Sequence, residues 1–565
     1  MSKPVRGWCS AQAATAVLGA CVFFLLCGCE GVLSEGSRVT IDPQRLRDIQ
    51  PLGLADRAKS VQTPEAASEE FLKSSPGLRR STEAPERVQL SIEQCRADAL
   101  VNNLDLAVQL LEPTIARENV TQEEARFEAT FFGNARQARF DQPTDTSLSG
   151  SNVESLSGDA GIRLPLRTGG SITIDLPFNR TETDNQFATL NPSYTTDLSV
   201  SLSQPLLRNA GVRTNTHAIR VAQYQSQISE ARTKLEVIRV IADVDRVYWR
   251  LYAAQRELEV RKQEYDLAVA QLERARRRVD KGDAAEVEIV RAEAGVAQRV
   301  EAIIIAENAI RDAERLLKRI LNKPELGMES ATIIELSTTP NPMRYELDAI
   351  DLASAALATR MEMLELELLI AQDVSGIDFA RNQKLPLVTL DYRYNINGLG
   401  RAWNDSLDLM IDKSFEDHVV GLSVEVPLGN SAAKSRLNQA IYTRLQRLAT
   451  KDQRVAQIEN EVYNALDQLE ANWQRVLASG RAALLEGRVL EAEQRQFDLG
   501  LRTSTDVLDA QARYANARSA EIRALAEYQI AQVDIAFATG MLLGASRVRW
   551  EPIVPDVNAE PADVN

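Results

Sequence analysis

Val420-Gly-Leu-Ser-Val-Glu-Val426-Pro427-Leu-Gly-Asn430 is the stretch on which the reading of this chain turns. Val420, Leu422, Val424 and Val426 alternate with Gly421, Ser423 and Glu425. A period of two puts the apolar side chains on one face of a strand and the polar ones on the other. Pro427 has no N–H to give a ladder, so the strand stops there. Beyond Asn430 the text changes. Ala432–Leu499 is dense in Ala, Glu, Arg, Gln and Leu, with only Gly480 and Gly487 as weak points. As one helix it is roughly 100 Å long. Compact domains rarely hold such rods.

The arrangement occurs twice. Ser201-Leu-Ser-Gln-Pro205-Leu-Leu resembles Ser423-Val-Glu-Val-Pro427-Leu, about 222 positions earlier, and again a strand precedes a long helix, Val212–Lys281. That helix spans roughly 105 Å. Turns follow at Gly282 and Gly500, with Glu288-Ile-Val-Arg-Ala292 and Asp506-Val-Leu-Asp-Ala510 after them. Ala284–Leu321 and Leu104–Arg126 are shorter helices, the second with a kink expected at Pro113. Their lengths nearly sum to the long one, so one continuous helix beside two stacked shorter ones is expected. Thr505–Leu542 and Leu352–Arg381 allow the same sum in the second half. The first half carries an insertion near Gly150–Thr183, with a tight turn at Arg167-Thr-Gly-Gly170. The boundaries expected are 91–325 for the first repeat, 326–345 for a linker, 346–544 for the second repeat and 545–565 for an acidic, solvated tail.

Other strands alternate in the same way. Val388, Leu390, Tyr392, Tyr394 and Ile396 oppose Thr389, Asp391, Arg393 and Asn395. Leu198, Val200 and Leu202 alternate with serines, Phe127, Ala129 and Phe131 with Glu128 and Thr130, and Ile172, Ile174, Leu176 and Phe178 with Thr173 and Asp175. Such strands suit a half-buried sheet or a membrane barrel, apolar outward and polar toward a lumen. The rods, and the N-terminal signal described next, favour the barrel. One chain offers four to six strands, too few to enclose water. An open edge leaves amides unsatisfied in lipid, so several copies must share one barrel in cyclic symmetry. The fold class is an α+β membrane protein, its outer β-barrel continuous with a long α-helical coiled-coil barrel and built from two internal repeats.

The N-terminus reads as an address. Lys3 and Arg6 precede an apolar run, Ala11–Leu26, too short for a comfortable span. It ends in Leu26-Cys27-Gly28-Cys29, the layout of a bacterial lipobox. Residues 1–28 are then a lipoprotein signal peptide, Cys29 the acylated residue in preference to Cys21, and 29–90 a mostly irregular tether. Acyl chains add membrane affinity at roughly 0.8 kcal/mol per buried CH₂.

Composition narrows the function. The 565 residues hold 65 Lys+Arg against 80 Asp+Glu, a net charge of −15, so nucleic acid is not an expected partner. Only two histidines occur, His217 and His418, far apart. No metal cluster, nucleophile set or phosphate loop is expected, nor a cofactor or enzymatic activity. The basic run Arg274-Ala-Arg-Arg-Arg278 reads as solvent-facing.

The two strand–Pro–helix junctions and Phe497-Asp-Leu-Gly500-Leu-Arg502-Thr-Ser-Thr-Asp506-Val-Leu-Asp509-Ala510 give the chain a resemblance to TolC-family outer-membrane channels, over about Ser91 to Gly544. The resemblance implies a homotrimer, a shared barrel in outer-membrane lipid and a helical tunnel across the periplasm. It implies a passive exit duct with a periplasmic adaptor and an inner-membrane transporter as partners. It also implies that the Gly500 turn sits at the periplasmic tip, that Asp506 and Asp509 face the pore at a closed entrance, and that Arg502 helps hold it shut. Three residues apart, the two aspartates share a helical face, and three copies would crowd six carboxylates round one axis. The first repeat departs from this, with Glu288 and Arg291 in those places. Efflux of small molecules is favoured over type I protein secretion through the likeness of acylated relatives to drug-efflux ducts. A lipid-anchored coiled-coil scaffold without a channel is the other reading.

Overall fold

A computed structural model describes residues 87–143, 150–282, 284–330 and 332–551. The expected signal peptide, Cys29, nearly all of the tether and most of the acidic tail lie outside the described residues.

The described chain opens with β1 (Arg87–Leu90) and three short helices, α1 (Ile92–Asn102), α2 (Leu104–Gln109) and α3 (Glu112–Glu124). Next come β2 (Thr130–Asp141), β3 (Asn152–Pro165), β4 (Ser171–Thr183), the short β5 (Ser193–Thr196) and β6 (Leu198–Pro205). One helical turn, α4 (Val212–Asn215), leads into α5 (His217–Asp280), and α6 (Val287–Leu321) returns beside it. After β7 (Ile333–Leu336) the order repeats with fewer strands: α7 (Ala349–Thr359), α8 (Met361–Gln383), β8 (Leu387–Ile396), β9 (Leu399–Gly400), α9 (Trp403–Ile411), β10 (Glu416–Glu425), α10 (Ser431–Asp498), α11 (Ser504–Ala538) and α12 (Leu542–Ala545).

The long strands form one antiparallel sheet in the order β10-β8-β6-β4-β3-β2. Its register lines up the alternation seen in the sequence. Val420 stands opposite Tyr392, Tyr392 opposite Leu202, Leu202 opposite Ile172 and Ile172 opposite Leu164. One residue along, Gly421, Asp391, Ser203 and Ser171 make the matching polar row, in which Ser203 donates to the Asp391 carboxylate at 2.6 Å. Most of the apolar face is uncovered, with Val420 70% exposed and Leu422 64%, and only its far end, at Ile396, is buried. A sandwich would bury that face, so the sheet is not half of one.

The helices pair as antiparallel coils, α5 with α6 and α10 with α11, and α5 packs on α11 between them. Their core sits beyond the sheet, where Ile241, Val244, Tyr248 and Leu251 of α5 meet Leu317 and Leu321 of α6. Cys95, Leu90 and Ile334 close it.

Several expectations are corrected. Leu104–Arg126 is not one helix kinked at Pro113. The chain breaks at Asn103, whose carboxamide caps α2 by accepting from Leu106 N–H, and again at Leu110–Leu111. Pro113 sits in the first turn of α3, where its missing N–H costs nothing. Leu352–Arg381 is likewise two helices, parted at the extended Arg360, and Val212–Lys281 is parted at Thr216. Gly480 and Gly487 interrupt nothing; α10 runs 68 residues, roughly 102 Å. Phe127 lies in a 3-10 turn, not in β2. The end of the tether is not irregular: Arg87–Leu90 pairs in parallel with Ile333–Leu336 of the linker. Nor is the start of the tail solvated: Val548 and Trp550 pack against the helical core.

Candidate functional site

The two Gly turns lie at the ends of the coils, far from the sheet. At Gly500 (φ +78°) the N–H of Gly500 bonds Phe497 O and that of Leu501 bonds Gln496 O, the paired bonds of a Schellman cap. A side chain at this φ is strained, which is why glycine stands here. Gly282 (φ +80°) ends α5 in the same conformation, its N–H on Val279 O.

Thr503 then starts α11. Its hydroxyl accepts from Asp506 N–H while the Asp506 carboxylate accepts from Thr503 N–H at 2.9 Å and from Thr503 Oγ1 at 2.8 Å, a capping box. Those bonds, and after them the charge of Arg502, hold the Asp506 carboxyl below its ordinary value of 3.8. Asp509, one turn on, is exposed. Arg502 stays within its own coil: Nε donates to Gln496 at 2.9 Å and lies 3.1 Å from the Glu493 carboxylate. The three residues singled out in the sequence thus share one turn, two of them already engaged in shaping it.

The contacts that join one coil to the other come from residues outside these three. Arg278, read there as solvent-facing, is half-buried; its guanidinium lies 4.9 Å from the Phe497 ring centroid. Arg276 and Arg277 of the same run do face solvent, paired with Glu293 and Glu273. Glu288 accepts from Ser504 N–H at 3.3 Å, so the first coil places a carboxylate on the N-terminus of α11. Above the turns, Gln271 donates to Ser504 at 3.2 Å and Gln511 to Leu267 O. Buried Arg299 donates to Leu508 O at 3.1 Å, with the Glu264 carboxylate 3.2 Å away. Composition marked these residues only as polar, and their partners lie more than 200 positions away.

At the other end, Pro205 closes β6 opposite Thr389, and Leu206 N–H bonds Val388 O just past it. Pro427 follows β10, whose last residue, Glu425, lies 3.4 Å from Arg208 of the first junction. The two Pro junctions therefore sit together. Among the described residues no group of acidic, His or Cys side chains could hold a metal, and no helix is long and apolar enough to cross a membrane.

This architecture has known relatives. The family described as "Outer membrane efflux protein" matches residues 171–323 and 352–541. The Outer membrane protein TolC of Vibrio cholerae serotype O1 is 27% identical over 376 residues, 64% of this chain and 78% of that protein. Among solved structures, the CmeC outer membrane channel of Campylobacter jejuni superposes with a TM-score of 0.60 at 16% identity, covering 80% of this chain and 86% of its own. The open state of the MtrE outer membrane channel of Neisseria gonorrhoeae gives 0.55 at 16%, covering 82% and 94%. With coiled rods, an uncovered apolar sheet and a family match over most of its length, the chain belongs to the outer membrane efflux protein family, the TolC family of outer-membrane channels with a periplasmic tunnel.

Proposed function

We propose that three copies of this chain form a passive exit channel for small molecules, anchored in the outer membrane by the shared sheet and by an acylated Cys29. The observation that carries this reading is the sheet. Its edges are β2 and β10, and most of its apolar face is uncovered. Each edge lacks the partner that lipid demands, and β2 of one copy, antiparallel to β10 of the next, supplies it. The chain does no chemistry; a periplasmic adaptor and an inner-membrane transporter supply cargo and energy.

A duplication, 91–325 and 346–544, is supported by two matching joints. Asn103, between α1 and α2, donates to Ile320 O at the end of α6. Thr359, beside the α7–α8 break, donates to Thr539 O at the end of α11.

The gate lies at the tip. Asp506 and Asp509 ring the axis and attract cations. Arg502 shapes the turn, and opening breaks the contacts between coils, Arg278 with Phe497 and Glu288 with Ser504. The test is the double substitution Asp506→Ala, Asp509→Ala in planar bilayers. Relief of divalent-cation block or a higher single-channel conductance is expected; unchanged conductance and block reject the gate. A protein that is monomeric and inert in bilayers rejects the channel and leaves the scaffold.

A further inference from the structure

The hairpin β3–β4 is not a loop thrown off the sheet but two full members of it. β3 has 14 residues and β4 has 13, where roughly 9–11 suffice to cross a bilayer. β2 pairs with β3 along the whole of β2, and β4 pairs with both β3 and β6. Its alternation is in phase with its neighbours: Ile162 and Ile174 stand in the row of Phe131 and Val200, on the uncovered face. Its turn is fastened level with the strand–helix junction. Gly211 N–H donates to Thr168 O at 2.9 Å, and Thr168 Oγ1 donates to Gln204 at 2.8 Å. Gly169 (φ +96°) fits there because a Cβ would lie 2.1 Å from Asn209 O. The first segment of the family match, 171–323, takes in β4 and β6 and starts after β2 and β3.

Resting on the channel reading above, we infer that the hairpin is a pair of barrel staves whose apolar face meets acyl chains. Three chains then close a wall of eighteen strands rather than twelve. At a strand spacing of about 4.8 Å and a tilt of about 40°, eighteen strands enclose a backbone diameter of about 36 Å, and twelve only about 24 Å. Much of the hairpin's lumenal side is small, with Ser155, Ser157, Gly161, Ser171 and Thr173 on it, so it widens the bore without refilling it. The outer opening therefore places no limit on bulky cargo, and selection by size falls to the helical tip.

The test is a nitroxide scan of the full-length protein in lipid vesicles. Single cysteines replace Ile172, Ile174 and Leu176, then Ser171, Thr173 and Asp175, and collision with oxygen is compared with collision with a water-soluble nickel chelate. Lipid-like values at the first three positions and water-like values at the second three are expected. Water-like values at all six overturn the inference. The same scan of β10, at Val420, Leu422 and Val424 against Gly421 and Ser423, separates the two levels. If β10 alternates and β4 does not, only the staves fail; if β10 does not alternate, the channel reading fails and the staves with it. Excision of residues 152–183 joins the far ends of β2 and β5, and it is expected to shrink the cross-section open to polyethylene glycols entering the barrel side by about twofold. An unchanged polymer cut-off overturns the wide bore.

Discussion

The guanidinium of Arg278 rests 4.9 Å from the ring centre of Phe497 and so ties the end of α5 to the end of α10. The pair joins two coils that also meet near their tips through Glu288 and Gln271 on Ser504. Such a contact is worth about 1 kcal/mol at a partly exposed site, which is about fivefold in an equilibrium. Arg278→Ala is therefore expected to raise the open fraction of the channel about fivefold, and Arg278→Lys to recover only part of that. Open probability in planar bilayers measures both.

The capping box of α11 gives an acid response. Because Asp506 titrates below its ordinary value in the folded protein, its contribution is complete above 3.8 and is lost only as pH falls further, through the lowered value. Amide exchange at Ser504–Val507 should stay slow down to that range and quicken below it. Thr503→Ala removes the hydroxyl cap at a cost of about 1 kcal/mol, and should quicken the same amides at neutral pH.

His217 gives a second response of opposite chemistry. Its ring stacks on Phe379 at 4.7 Å and its Nδ1 lies 2.9 Å from Ser375 Oγ. Burial, and then the charge of Arg220, pushes its pKa below 6.5. The folded state therefore binds this proton less readily than the unfolded chain. Stability is complete above 6.5 and declines as pH falls from there toward the lowered value. His217→Gln should flatten the thermal midpoint of the purified channel between about pH 7.5 and about pH 5.5.

Arg299 tests the seam above the tip. It is buried, it donates to Leu508 O, and Glu264 beside it keeps Arg261 at 3.0 Å in any case. Arg299→Met should cost about 2 kcal/mol, mainly the lost charged hydrogen bond. Arg315→Ala, which removes an exposed pair with Asp312, should cost under about 1 kcal/mol. Thermal melting of the two variants side by side distinguishes them; equal shifts would mean the buried seam contributes nothing special.

What the sequence made legible is local. The strand–Pro–helix junctions at Pro205 and Pro427 and the glycine turns at 282 and 500 were readable from short patterns, because each is set by neighbours in the chain. Asp506 was marked as a gate carboxylate, yet its first structural task is to cap α11, which the Thr503-x-x-Asp506 spacing already contained. The joints at Asn103 and Arg360 were not readable. Arg360 is buried and paired with Glu362 and with Glu461, a partner 101 positions away. No window of sequence displays such a partner.

By itself, then, the sequence determined the rods and the alternating strands, since periodicity is a property of the chain read in order. Tertiary structure alone decided that the insertion joins the sheet, that Trp550 belongs to the core, and that Glu288 reaches Ser504 across 216 positions. The reason is physical. Local pattern fixes which face of an element is apolar, but which faces meet is settled by long-range packing, where a side chain's charge is known and its partner is not.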